Sequence, residues 1–181
     1  MKILFTALAL CLISAPAFAA ISVLGGGEAQ ACYQAAKAGK SDKASLDACD
    51  LALDAEMMAP DDRGGTFINR GVMRLRRGEY LAAQADFNAG IALIPSVGEG
   101  WINRGAMYLG ERRYKEALAD LNKALSLGLH EPAKAYYNRA IAYEGLDDEK
   151  SAYLDYQQAL ALQPGWELPQ HELLRFTVSR R

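Results

Sequence analysis

A five-residue pattern occurs three times in the chain: residues 67–71 are FINRG, residues 101–105 are WINRG and residues 136–140 are YYNRA. The copies are offset by 34 and then 35 residues. The same kinds of residue return downstream of each copy, namely a small residue, a bulky one four positions later and a closing proline: Ala83, Phe87, Pro95; Ala117, Leu121, Pro132; Ala152, Tyr156, Pro164. A period of this length is typical of an array in which similar supersecondary units stack on one another.

Within each unit, the apolar residues have helical spacing. In residues 66–78, TFINRGVMRLRRG, this spacing predicts a helix that ends near Gly78. Residues 80–95 repeat the pattern for a second helix, and we expect Gly71 to face Gly90 where the two helices approach closely. One hairpin cannot bury its apolar face alone. The fold class is therefore predicted to be all-α, a solenoid of stacked helical hairpins.

At these positions the chain resembles the tetratricopeptide repeat family, whose 34-residue unit carries an aromatic residue, Gly, Tyr, Ala-x3-Phe and Pro. The unit in the middle of the array matches at Trp101, Gly105, Tyr108, Ala117 and Leu121, whereas the one before it has Arg74 in place of the tyrosine. The resemblance covers residues 64–166. It implies repeats at 63–97, 98–131 and 133–166, a divergent N-terminal helical hairpin at 28–60, and a capping helix from 167 to 178 within a C-terminal region of 167–181.

One departure from the family pattern recurs in every repeat. The usual leucine is an arginine, and an aspartate follows it after sixteen residues, giving Arg70 and Asp86, Arg104 and Asp120, Arg139 and Asp155. These positions can meet across an antiparallel hairpin, so we expect an Arg–Asp ion pair in each repeat. The alternative is an arginine ladder that binds an anionic ligand.

The N-terminal residues have the composition of a leader. Residues 1–19, MKILFTALALCLISAPAFA, begin with the basic Lys2, continue with an apolar run and end in Ala17-Phe18-Ala19. This pattern predicts a secretory signal peptide cleaved after Ala19 and a periplasmic or secreted protein without stable membrane insertion. The alternative is a buried first helix. Residues 20–27 are expected to be a flexible linker.

Two cysteines remain after the expected cleavage. Cys32 and Cys49 lie in two predicted helices, 28–37 and 43–53, at equal distances from the turn between them. We therefore predict a Cys32–Cys49 disulfide, which suits an oxidising compartment. Two buried thiols are the alternative. A catalytic dithiol is disfavoured, because redox pairs usually stand two residues apart.

Composition and motifs argue against other functions. The formal net charge is −2, which disfavours nucleic acid as a partner. The sequence contains no HExxH motif, no phosphate-binding glycine loop and no nucleophile elbow. We expect no enzyme activity, no metal and no cofactor.

The family resemblance implies a protein–protein interaction module, an adaptor or scaffold, that binds a peptide or helix of another exported or envelope protein in its concave groove. The positions expected to face this groove are mostly apolar, with Tyr137 as a candidate hot spot: Ile68, Val72, Leu75, Arg76, Ile102, Ala106, Leu109, Lys134, Tyr137, Ile141 and Glu144. A structural subunit of an envelope or secretion assembly, using its convex face, is an alternative. A further alternative is a groove covered by the protein's own tail or capping helix.

Overall fold

The structure is a computed structural model that describes residues 2–5, 17–23, 27–55 and 57–179. These residues form nine helices: α1 (Gly27–Lys37), α2 (Lys43–Ala55), α3 (Pro60–Arg76), α4 (Tyr80–Leu93), α5 (Gly98–Gly110), α6 (Tyr114–Leu127), α7 (Pro132–Gly145), α8 (Glu149–Leu162) and α9 (Glu167–Leu173). Two short strands, β1 (Lys2–Phe5) and β2 (Phe176–Ser179), pair antiparallel with Phe5 opposite Phe176. The predicted all-α solenoid of hairpins is confirmed, and the ribbon is the one addition among the described residues.

The turns inside the three repeats share one backbone conformation. Gly78, Arg112 and Asp147 occupy equivalent places after α3, α5 and α7, and their φ angles are +75°, 57° and 60°. Glycine adopts this left-handed conformation freely, whereas arginine and aspartate do so at a cost. Proline is the first residue of α3 and α7, where its missing N–H leaves no bond unmade. These signals place the hairpins as the sequence predicted.

The two glycines Gly71 and Gly90 were expected to face each other, but in the structure each faces a bulky side chain. A Cβ atom at Gly71 would lie 2.7 Å from the ring of Phe87, and one at Gly90 would lie 2.5 Å from Ile68. The predicted facing of Gly71 and Gly90 is therefore wrong by one helical turn. Each glycine instead makes room for a bulky side chain of the opposite helix, and these side chains belong to the core of the repeat.

The N-terminal hairpin is closed by the predicted disulfide, which joins Cys32 of α1 to Cys49 of α2 with their Cα atoms 4.8 Å apart. Asp42 caps α2 by accepting a hydrogen bond from the Ser45 amide at 3.0 Å. Both cysteines are fully buried and share a cluster with Met73 of α3. The disulfide thus lies at the contact between this hairpin and the first repeat.

The three Arg–Asp ion pairs are confirmed, with N–O distances of 2.6 to 2.7 Å. Each arginine also donates through Nη1 to the second helix of the preceding hairpin, at 2.7 to 2.9 Å, where the acceptors are Asp50, Asn88 and Asn122. The guanidinium groups lie 5.0 to 5.5 Å from the ring centre of the aromatic residue three positions earlier. These arginines therefore tie neighbouring hairpins together.

The C-terminal region is more varied than expected. The helix predicted over 167–178 ends at Leu173, and residues 176–179 form β2. The sequence FTVS of β2 contains two β-branched residues, which favour a strand over a helix. Trp166 and Leu173 pack against Tyr137 and Tyr156 at the end of the array. No helix within the described ranges is long and apolar enough to cross a bilayer.

Candidate functional site

The face shared by α3, α5 and α7, which we call the groove, is occupied by the chain itself. Residues 17–23 lie across these three helices without forming a helix or strand of their own. They run from α7 towards α3, opposite to the order of the repeats. The alternative of a groove covered by the tail or capping helix named the wrong segment, because the covering residues are 17–23, on the N-terminal side of the repeats.

Three asparagines bind this segment, one from each repeat, and we call them the asparagine ladder: Asn69, Asn103 and Asn138. The Oδ1 atoms accept from the amides of Ile21, Ala19 and Ala17 at 2.8, 2.9 and 2.9 Å. The Nδ2 atoms donate to the carbonyls of the same three residues at 2.8, 2.7 and 2.9 Å. Each asparagine thus holds both polar groups of one residue.

The spacing of these bonds follows from the geometry of an extended chain. The N–H and C=O groups of one residue point to the same side, and those of the next residue point to the other side. One side-chain amide can therefore satisfy a whole residue, and each following repeat meets the chain two residues earlier, roughly 6.6 Å away along the segment. The ladder recognises main chain, so it requires an extended segment but no particular side chain.

Burial makes the ladder energetically significant. All three asparagines are fully buried beneath the segment. Asparagine is a poor residue for the interior of a helix, and a buried amide without partners costs about 1–3 kcal/mol. The residue type at these positions is therefore explained by the bonds that it makes to the segment.

Side chains of the segment also have defined places. Val23 packs against Ala29 and Ala52 of the first hairpin. A Cβ atom at Gly65 would lie 3.2 Å from Ile21 and 3.3 Å from Val23, so glycine lets this part of the chain approach α3. The prediction of a flexible linker over 20–27 is wrong for residues 20–23, because they are held in the groove; residues 24–26 lie outside the described residues, and α1 already begins at Gly27.

The upstream half of the segment contacts all three repeats. Ala19 is 8% exposed, and Ala17 packs against the aromatic cluster at the end of the array. Phe18 packs on the α3 core and lies 5.9 Å below the Arg76 guanidinium. Of the predicted leader, the structure thus describes the three residues of the expected cleavage motif and, in β1, Lys2–Phe5; residues 6–16 lie outside the described residues.

The predicted groove residues are mostly core residues. Seven of them are less than a tenth exposed: Ile68, Val72, Leu75, Ile102, Ala106, Leu109 and Tyr137. Tyr137 lies 5.7 Å from Tyr156 and 5.0 Å from Trp166, measured between ring centres, so it is not the exposed hot spot that the sequence suggested. Apolar residues at helical spacing form the contacts within and between hairpins, so their side chains are buried and do not face a ligand. Their part in binding a partner stays a prediction.

The other four predicted positions are more accessible. Arg76 donates to the Ala36 carbonyl at 2.8 Å, and Ile141 is half-buried at the edge of the core. Lys134 pairs with Glu131, and Glu144 pairs with Arg175 at 2.6 Å. The residues that the sequence analysis missed are the asparagines. Their signal in the sequence is that each stands directly before a repeat arginine.

Charged groups surround the two ends of the segment. A cleft of 590 Å³ runs beside residues 19–22, and its lining includes the polar side chains of Lys37, Glu99, His130 and Glu131. At the other end, burial raises the pKa of Glu144, and the nearby Arg175 opposes this shift in part. Burial also raises the pKa of Tyr156 well above 10, with Glu144 and Glu172 adding to the effect.

Within the described part of the chain, no three His, Cys, Asp or Glu residues are grouped so as to hold a metal ion.

Comparison with a family model supports the repeat assignment. The model of the tetratricopeptide repeat matches residues 98–127 and 133–165, which correspond to the last two predicted repeats. No curated protein sequence matches the chain.

Solved structures show the same fold. The TPR domain of Arabidopsis OM64 has a TM-score of 0.62 and 23% identity, with 65% of this chain and 96% of that domain covered. YrrB, described as a TPR protein with an unusual peptide-binding site, has a TM-score of 0.63 and 22% identity, with 80% of this chain and 73% of its own covered. The second TPR domain of human RPAP3, in complex with an HSP70 peptide, has a TM-score of 0.59 and 28% identity, with coverage of 64% and 96%. The chain is similar to these proteins in its stacked helical hairpins.

Proposed function

We propose that this protein is an exported, non-enzymatic member of the tetratricopeptide repeat family whose groove binds an extended segment of another polypeptide. The observation that carries the proposal is the asparagine ladder, which forms six hydrogen bonds to the main chain of residues 17–21. The peptide complex of the second RPAP3 domain and the peptide-binding site of YrrB support the same class of ligand.

The ladder favours an extended ligand over a helical one. In a helix, the main-chain N–H and C=O groups already bond to each other, so a side-chain amide in the groove finds no free pair. An extended segment presents both groups of alternate residues on one side. Of the two ligand types implied by the family resemblance, the peptide is therefore the better match.

Export is supported by the sequence and by the disulfide. Residues 1–19 have the composition of a signal peptide, and disulfides such as Cys32–Cys49 persist in oxidising compartments. We place the protein in the periplasm or outside the cell, and its partner is then another exported or envelope protein.

Peptide binding to the processed protein tests this function. The ligand is an acetylated and amidated peptide with the sequence of residues 15–19, which ends at the Asn103 subsite; it is labelled at a terminal linker, and the readout is fluorescence anisotropy. Asn103→Ala and Asn138→Ala should each weaken binding at least tenfold, because each removes two hydrogen bonds. Asn88→Ala is the matched control, since Asn88 is an exposed asparagine on α4, outside the groove. Equal affinity for all of these variants would contradict the proposal.

A further inference from the structure

The bond at which cleavage is predicted lies inside the groove. Ala19 is held by Asn103, whose Nδ2 donates to the Ala19 carbonyl at 2.7 Å, and the next residue begins the downstream half of the segment. Upstream of this bond, the segment bonds to Asn103 and Asn138. Downstream of it, Ile21 bonds to Asn69. Hydrolysis of the Ala19–Ala20 bond would therefore split the segment into an upstream part at Asn138 and Asn103 and a downstream part at Asn69.

The downstream half keeps its anchors after cleavage. Both Ile21 hydrogen bonds to Asn69 are 2.8 Å long, and Val23 is 3% exposed. The chain is then continuous with α1, which the disulfide attaches to α2. The new α-amino group of Ala20 is thus kept between the Asn69 and Asn103 subsites, and with an ordinary pKa of about 7.7–8.0 it is largely protonated at neutral pH.

The upstream half loses its covalent attachment. Its departure leaves the Asn103 and Asn138 amides without the main-chain partners that they have in the structure. In the structure these subsites hold residues 17–19 with the later residue at Asn103. The last residue of a ligand bound in this way would lie beside the Ala20 ammonium.

We infer that the processed protein binds the free C-terminal tail of another exported polypeptide, with the tail's last residue at Asn103 and its carboxylate paired with the Ala20 ammonium. The inference rests on the proposed function and adds the polarity and the end group of the ligand. An N⁺–H···O⁻ bond of this kind, about 2.8 Å long, is stronger than a neutral hydrogen bond. An internal segment has no charge to offer at this point.

The segment in the structure also indicates which tails fit. Ala19 is buried and Ala17 packs against the terminal aromatic cluster, so small residues suit the last and third-last positions. Phe18 lies under Arg76, so an aromatic residue suits the position between them. The best tail therefore ends in a small, an aromatic and a small residue.

The test uses the full chain, expressed with its own N-terminal residues in a secreting bacterial host and purified after export. Mass spectrometry first establishes that the N-terminus is Ala20. Labelled peptides ending in Pro-Ala-Phe-Ala are then titrated as the free acid and as the amide. The free acid should bind at least tenfold more tightly, and selective acetylation of the α-amino group should reduce this preference below twofold. The comparison requires no substitution, so it does not depend on the folding of a variant.

Each other result overturns the inference in a distinct way. Equal binding of acid and amide would leave the groove function standing and exclude the carboxylate contact. A failure of both peptides to bind would exclude the groove function as well. An N-terminus other than Ala20, or a preference for the acid that survives acetylation, would remove the ammonium from the site. Co-purification of a fragment ending at Ala19 would show that the protein's own leader, and not a partner, is the occupant.

Discussion

Arg104 and Asp120 form a two-point ion pair across their hairpin, with Nε 2.7 Å from Oδ2 and Nη2 2.9 Å from Oδ1. The third guanidinium nitrogen, Nη1, donates to Asn88 of the preceding repeat at 2.8 Å. Only 17% of the arginine side chain and 8% of the aspartate side chain are exposed. The pair therefore joins three helices in a region with little access to solvent.

Arg104→Ala and Asp120→Ala should be non-additive in the free energy of unfolding. Either change alone leaves the other charge poorly solvated, so the second change should add little, with a coupling of roughly 0.5–3 kcal/mol. Chemical denaturation of the two single variants and the double variant measures this coupling. The pair Lys43 and Asp47, whose side chains are 85% and 47% exposed, is the matched control and should give less than about 0.5 kcal/mol. A coupling of zero would show that Arg104 and Asp120 do not stabilise each other, and Arg104 would then be a candidate for binding a ligand.

Asn69→Ala should release the Ile21 amide. In the structure this amide donates to Asn69 Oδ1, and the Ile21 carbonyl accepts from Nδ2 of the same side chain. We expect hydrogen exchange at Ile21 to become at least tenfold faster, with no change at amides inside α6. Asn88→Ala should leave the exchange of Ile21 unaltered. Exchange at Ile21 that is already fast in the wild type would show that the segment is not held.

Replacement of both cysteines by serine should lower the free energy of unfolding by about 3 kcal/mol, because the disulfide closes a loop between residues 17 apart in sequence. Denaturation with and without reductant measures the change. The wild type should lose the same stability on reduction, whereas the variant should not respond to reductant. Free thiols at Cys32 and Cys49 in protein purified without reductant would contradict the assignment.

Tyr156→Phe should change how stability depends on pH. Burial raises the pKa of Tyr156, so above pH 10 the unfolded chain loses this proton while the folded chain retains it. The folded state then binds more protons than the unfolded state, and stability falls as pH rises. Relative to the wild type, the variant should therefore gain stability between pH 9 and 11.

The features predicted correctly from the sequence are those whose partners lie within one hairpin. The arginine and aspartate of each ion pair are sixteen residues apart, and Cys32 and Cys49 flank one turn symmetrically. Helix periodicity and the repeat length determine such contacts directly. The hairpins, the disulfide and the ion pairs follow from local spacing together with the handedness and length of the helices.

The occupied groove depends on contacts between distant parts of the chain. Asn138 and Ala17 are 121 residues apart, and Asn69 and Ile21 are 48 apart. Residues 17–23 carry no charge and no repeat, and their bonds to the ladder involve main-chain atoms that are the same in every residue. Side-chain pattern alone therefore could not reveal that this segment is a ligand for the helices behind it. It also could not show that the apolar strip expected on the surface is the core.

Because the asparagine ladder binds every second residue, the groove distinguishes a shift of the bound chain by one residue from a shift by two. A bound chain that slides by a dipeptide offers equivalent N–H and C=O groups to every rung, whereas a slide by one residue turns all of them away at once. Tails of alternating small and bulky residues can thus sit in several equivalent frames. Two such frames favour binding by a statistical factor of two, about 0.4 kcal/mol. A carboxylate fixed beside Asn103 would allow only one of these frames. Removal of one C-terminal residue from such a tail would then place a bulky residue where Ala19 lies, whereas removal of two residues would restore a small one. Odd and even truncations at the C-terminal end should therefore differ sharply in affinity.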